Sequence, residues 1–171
     1  MSRAIAILVL LVSTVSTAVA QETPRIGAIN LSYVARSSKV GKSGLAQIED
    51  ASRKKAAEID IKTADLRRQQ AALQKTSVSL SARAIADLQR AFDKSRLELE
   101  RFQQDARDEI AALQTSFDLD FRAKLAPVIE AVSKEKGLHF VFGLEEAAIV
   151  WWSPAVDISD EVVKRLDVEK K

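Results

Sequence analysis

From Leu45 to Lys136 the chain contains no glycine and one proline, Pro127. Ala, Leu, Gln, Glu, Lys and Arg dominate this stretch, and these are the strong helix formers. One weak point interrupts it, Thr76-Ser77-Val78-Ser79-Leu80-Ser81. Hydroxyl side chains there compete for helical backbone bonds and favour caps and turns. The spacing predicts two helices that break at this segment, with Ser79 or Ser81 as N-cap of the second, and fold back as an antiparallel hairpin. At 1.5 Å per residue the arms would span about 45 Å and about 80 Å, too long for a compact ball.

The second arm carries Ile85, Phe92, Leu99, Ala106 and Leu113 at seven-residue spacing, and the first carries Leu45, Ser52, Ile59, Leu66 and Leu73. Companion positions on the first arm, Lys55, Lys62 and Gln69, are polar. That seam is wide enough to zip two helices as a coiled coil but too thin for a globular core. The arms should therefore project into water.

Three short extended segments lie outside the arms: Arg25–Leu31, Leu138–Leu144 and Ala147–Ser153. The last two, joined through Glu145-Glu146, read as an antiparallel β-hairpin stopped by Pro154. A closing helix is expected from Asp157 to about Val168, with acids at its start and Lys164 and Arg165 near its end. Gly41 and Gly44 are expected to turn the chain into the first arm. The strands are apolar on both faces, so they need cover on both sides. One short helix and two arm roots cannot supply it, which implies further copies of the chain. The class is α+β: a small β body used for oligomerisation, residues 21–44 and 123–171, and a long protruding antiparallel coiled-coil hairpin, residues 45–122, with its tip near 76–81.

The first twenty residues, MSRAIAILVLLVSTVSTAVA, have one basic residue, an apolar run and a terminal A-x-A, the layout of a secretory signal peptide cleaved after Ala20. The apolar run is well short of the ~20 residues that span a bilayer. There is no cysteine for a disulfide or for lipid attachment. An exported, cysteine-free chain fits a periplasm.

Catalysis lacks candidates. With one histidine and no cysteine, nucleophilic triads reduce to His139, a packed strand residue. Gly41-Lys42-Ser43 lacks the earlier glycine of a phosphate loop. Glu145 and Glu146 read as solvated turn carboxylates, and neither a metal site nor a cofactor site is expected.

Charge, by contrast, is unevenly placed. Residues 62–96 hold eight bases, Lys62, Arg67, Arg68, Lys75, Arg83, Arg90, Lys94 and Arg96, against three acids, a net +5. Residues 97–122 hold three bases against seven acids, a net −4. A basic tip over an acidic root can attract acidic polypeptides or anionic lipid. Export argues against nucleic acid.

A strand such as RIGAINL, a long Ala/Gln/Lys/Glu hairpin, and the ending GLHFVFGLEEAAIVWWSPAVDISDEVVKRL together resemble the Skp, or OmpH-like, family of periplasmic chaperones. Asp157–Leu166, DISDEVVKRL, is the most specific part, similar to that family's closing helix. The resemblance implies a homotrimer whose shared body bears three hairpins around a cavity. It also implies a non-enzymatic, ATP-independent holdase for unfolded outer-membrane β-barrel proteins. It places Ile26, Ile29, Val141, Phe142, Val150 and Trp151 in the oligomer core. Seam-margin residues Ile85, Phe92, Leu99, Phe102 and Phe117 are candidates for client contact. Two alternatives remain, a structural coiled-coil adaptor of the cell envelope and a peripheral binder of anionic lipids.

Overall fold

The computed structural model describes residues 23–76 and 81–168. The leader expected over residues 1–20, and the part of the break at 77–80 with its alternative cap Ser79, lie outside them. The element order is β1 (Ile26–Ile29), α1 (Leu31–Ser37), α2 (Lys39–Thr76), α3 (Ala82–Lys136), β2 (Phe140–Gly143), a short 3-10 turn (Pro154–Val156) and α4 (Ser159–Val168). Two long helices with a small two-stranded sheet make the fold α+β.

The arms are α2, 38 residues, and α3, 55 residues. Ser81 caps α3, its side chain accepting from the Ala84 amide, which satisfies one of the helix's orphan donors. Contacts between the arms pair Gly44 with Phe117, Lys55 with Glu109 and Lys62 with Phe102, so partner numbers fall on one arm as they rise on the other. That is the signature of an antiparallel hairpin. At its base α3 ends on Gly137, whose φ of 60° is left-handed. The amides of Gly137 and Leu138 turn back to the carbonyls of Lys134 and Ser133, closing the helix and aiming the chain into β2.

The β pair departs from the expected hairpin. β2 pairs in parallel with β1, in the register Ile26 with Phe140 through Ile29 with Gly143. A parallel pair needs a long crossover, and α1 with the whole hairpin provides it. Residues 149–153 form no strand within the chain. The Ala147 and Ile149 amides bond to the carbonyls of Gly143 and Leu144, and Ala148 takes a φ of 49°, so the segment curls away from β2.

A second departure concerns Gly41 and Gly44, which lie inside α2, a helix that begins at Lys39. They serve close packing. A Cβ on Gly41 would sit 2.0 Å from the Ala35 carbonyl oxygen, so α1 rests directly on the α2 backbone. A Cβ on Gly44 would sit 2.3 Å from the Phe117 ring.

The core joins Ile29, Val34, Phe121, Leu125, Val128, Val132, Ile158, Val162 and Leu166. It draws on β1, α1, the last four turns of α3 and α4. The body is thus mostly helical, with its sheet at one side. α4 starts at Ser159, two residues after Asp157, because the Asp157 carboxylate accepts from the Ser159 amide at 2.9 Å and acts as a cap. Ser159 is buried and its hydroxyl accepts from the Asn30 amide at 2.9 Å, tying α4 to the end of β1.

Candidate functional site: the open sheet face and the arms

Alternation along the strands divides the sheet. Gly27, Ile29 and Val141 look inward towards Leu138 and Ile158. Ile26, Phe140 and Phe142 look outward, and Phe140 is 59% exposed with its ring 6.4 Å from that of Phe142. Beyond them Val150 and Trp151 are 97% and 80% exposed, the most open large apolar residues of the body. Ile26, Phe140 and Phe142 on the sheet, and Val150 and Trp151 on the segment after it, are large apolar residues of the body that the chain leaves uncovered. Large exposed apolar patches mark interaction surfaces.

Among the expected oligomer-core residues, Ile26, Phe142, Val150 and Trp151 are therefore open. Ile29 and Val141 instead pack on the chain's own core. The expectation missed Phe140, whose two-residue offset from Phe142 was the available signal. The tryptophans also divide: Trp152 turns inward, its indole N–H donating to Asp157 Oδ2 at 3.3 Å.

The turn that launches Val150 and Trp151 is fastened on two sides. Ser32 Oγ donates to Glu145 Oε2 at 2.8 Å, and Arg122 Nη2 pairs with Glu146 Oε1 at 2.9 Å. Glu146's own backbone hydrogen bond, with Arg122 adding to it, holds its carboxyl below the usual range. Gly143 lets that carboxylate fold over the strand end, where a Cβ would come within 2.4 Å of Glu146 Oε2. Glu145 and Glu146 are exposed turn carboxylates, as expected, and also clasp the turn to α1 and the root of α3.

On the arms, Leu99 and Ala106 are buried in the seam. Phe102 is half-buried between two cations, with Lys55 and Lys62 Nζ at 5.5 and 5.2 Å from its ring centroid. The Glu109 carboxylate, 2.7 Å away, holds the Lys55 ammonium above the ordinary lysine value. Lys55 and Lys62, polar at seam positions, thus lay their stems along an aromatic face. Phe117 stacks 5.4 Å from Phe121 beside Gly44, while Ile85 and Phe92 are half-buried near the tip. Leu99 and Phe117 accordingly serve the seam. Among the described residues, the large apolar side chains that the arms offer to solvent are others: Leu45, Ile61, Leu88, Leu97, Leu113 and Leu119. A shallow groove between Ser52, Ala56, Ile59, Ala106 and Ile110 adds small-residue surface.

All eight basic residues of the tip are exposed. Arg68 pairs with Asp65, Arg90 with Asp87, and Lys94 lies 3.8 Å from Glu98. Arg67, Lys75, Arg83 and Arg96 have no carboxylate within 4.0 Å among the described residues. His139 sits at the sheet edge, its Nδ1 accepting from the Arg25 amide at 2.9 Å. Among the described residues no cluster of His, Asp or Glu is arranged to hold a metal, and no helix is long and apolar enough to cross a membrane.

Comparison with known proteins places this arrangement. The family described as outer membrane protein (OmpH-like) matches residues 25–166. The chain belongs to the OmpH-like family. A crystal structure of an OmpH-like protein from Caulobacter crescentus CB15, presented there as a candidate outer membrane chaperone, superposes with a TM-score of 0.75 at 21% identity over 87% of each chain. The OmpH-like hairpin and body are thus a shared fold at low sequence identity. No curated protein sequence matches this OmpH-like chain significantly.

Proposed function

We propose that this OmpH-like protein is an ATP-independent periplasmic holdase that binds unfolded outer-membrane β-barrel proteins and keeps them from aggregating. The observation that carries this reading is the distribution of uncovered apolar surface: one concentrated set on the body and a scattered set along a long protruding hairpin. A concentrated set suits permanent burial against copies of the same chain. A scattered set on a water-exposed arm suits many weak contacts with a chain that has no fixed shape.

In this reading Ile26, Phe140, Phe142, Val150 and Trp151 are covered in a homotrimer, with residues 149–153 adding to the free edge of a neighbour's β2. Three hairpins then surround a client, which meets Ile61, Leu88, Leu97, Leu113 and Leu119 together with the margins of Ile85, Phe92 and Phe102. Linked arms raise the effective concentration of each contact, so no single contact need be strong. The basic tips attract acidic client segments over a Debye length of about 8 Å at physiological salt.

Sedimentation velocity of the purified protein, alone and mixed with a urea-unfolded outer-membrane barrel diluted into buffer, tests both parts. A trimer that holds the barrel in a discrete soluble complex without nucleotide is expected. A trimer beside an aggregated barrel would remove the holdase function and leave the adaptor reading.

A further inference from the structure

We propose that two assemblies of this chain dock arm against arm, the basic tip of a hairpin in one lying antiparallel along the acidic root of a hairpin in the other. Four exposed cations of the tip, Arg67, Lys75, Arg83 and Arg96, have no carboxylate within 4.0 Å among the described residues. Among the root's exposed anions with no cation within 4.0 Å among the described residues are Glu100, Asp105, Asp118 and Asp120. The net charges, +5 over residues 62–96 and −4 over 97–122, include every other charged side chain in those ranges. Residues 45–61 on the facing arm add four acids and three bases to the root, a further −1.

The spacing of these groups selects the geometry. Measured from the turn between the arms at about 1.5 Å per residue, the four cations lie roughly 6 to 25 Å from the tip and the four anions roughly 30 to 60 Å from it. When one hairpin is reversed and its tip set opposite residue 120 of the other, about 62 Å along, the cations fall at roughly 37 to 56 Å, within the span of the anions. The arrangement is two-fold symmetric, so both tips engage at once and the contact closes as an isologous pair. Parallel hairpins would set +5 beside +5, so neighbouring tips in one assembly repel and stay apart. An anionic lipid surface or an acidic polypeptide would use the tip and leave the matched root without a role. A second copy uses both.

The test needs no client, so it stands or falls separately from the holdase reading. Protein purified after expression of the full chain is followed by sedimentation velocity over a concentration series in the micromolar range. At about 20 mM salt the sedimentation coefficient is expected to rise above that of the basal assembly, and by about 300 mM, where the Debye length has shrunk to about 6 Å, to return to it. A tip-reversed variant (Arg67, Lys75, Arg83 and Arg96→Glu) and a root-reversed variant (Glu100, Asp105, Asp118 and Asp120→Lys) should each stay basal alone, and associate when mixed. A variant that loses helicity by circular dichroism is replaced by its Gln or Asn counterpart, which should lose the low-salt association. Docking is overturned by a wild type that stays basal at low salt, by a folded tip variant that still associates, or by folded reversed variants that fail to associate when mixed. A wild type that stays basal yet binds anionic phospholipid vesicles would make the tip a lipid-binding surface instead.

Discussion

Replacing Gly41 with alanine should destabilise the protein although it improves helix propensity. Gly41 lies inside α2, where Gly→Ala alone is worth about 1 kcal/mol in favour of the variant. The added methyl, however, meets the Ala35 carbonyl oxygen at 2.0 Å and the Ala35 Cα at 2.6 Å, backbone atoms of the neighbouring helix that cannot rotate aside. Relief requires α1 to lift from α2, which pulls Val34, fully buried, out of the core. Overpacking of this kind costs about 1–3 kcal/mol, and exposing a buried valine costs on the order of 1.5–3 kcal/mol if it goes to completion. Partial relief puts the loss at about 3 kcal/mol and the net at about 2 kcal/mol destabilising. For a chain of this size that lowers Tm by roughly 4–8 °C. Thermal unfolding followed by circular dichroism at one fixed protein concentration, which holds the assembly contribution constant, measures it. Ser43→Ala, exposed on the same helix turn, should be near neutral or slightly stabilising. Gly44→Ala should fall between, because its methyl meets the Phe117 ring, which can swing. A Gly41→Ala protein that melts at or above wild type would refute the account of α1 resting on α2.

Leu125, almost wholly enclosed, should lose about 2–5 kcal/mol on replacement by alanine, read as a lower urea midpoint with an unchanged slope. Val150→Asp with Trp151→Asp should dissociate the oligomer and abolish client protection while leaving monomer helicity, and an intact oligomer by light scattering would sink the assembly face. Arg67, Arg68, Arg83 and Arg90→Gln should keep the basal assembly but slow client capture at low salt, and unchanged rates would make the tip a solvated surface only. The Arg165 guanidinium lowers the Glu135 carboxyl and the Lys136 ammonium lowers that of Glu161, so these pairs support the fold above the ordinary carboxyl pKa of about 4.3 and are lost as pH falls through the depressed values. Tm should therefore drop below pH ~4, and Glu135→Gln with Glu161→Gln should flatten that drop; an equally steep drop in the double variant would show that other carboxyls carry it.

The hairpin was legible because helix propensity and a seven-residue apolar repeat are local signals, and Ser81 is a cap that declares itself by residue type. The β pair was not. Ile26 and Phe140 lie far apart in sequence, and nothing local says that β1 rather than residues 147–153 takes the edge of β2. The strand pattern of AAIVWWS was real as a pattern, but a strand exists only against a partner, and the chain offers it none. Gly41 and Gly44 misled for a related reason. Glycine reads as a turn until one knows that α1 and Phe117 press against those two backbones. On the arms, spacing identified the seam but not its margins. Lys55 and Lys62 look polar in a one-letter pattern and behave as half-apolar covers over Phe102.

The parallel pairing of β1 with β2 also orders events in time. β1 precedes its partner strand by 114 residues, as the Arg25–His139 contact measures. Each arm can coil as soon as it emerges, and zipping the hairpin brings the distant strands near each other before they bond. The outward face of Ile26, Phe140 and Phe142 comes into being only when that last step is complete. A chain whose arms have coiled but not yet zipped therefore has its helices without this face, so a fault in the hairpin is also a fault in the sheet.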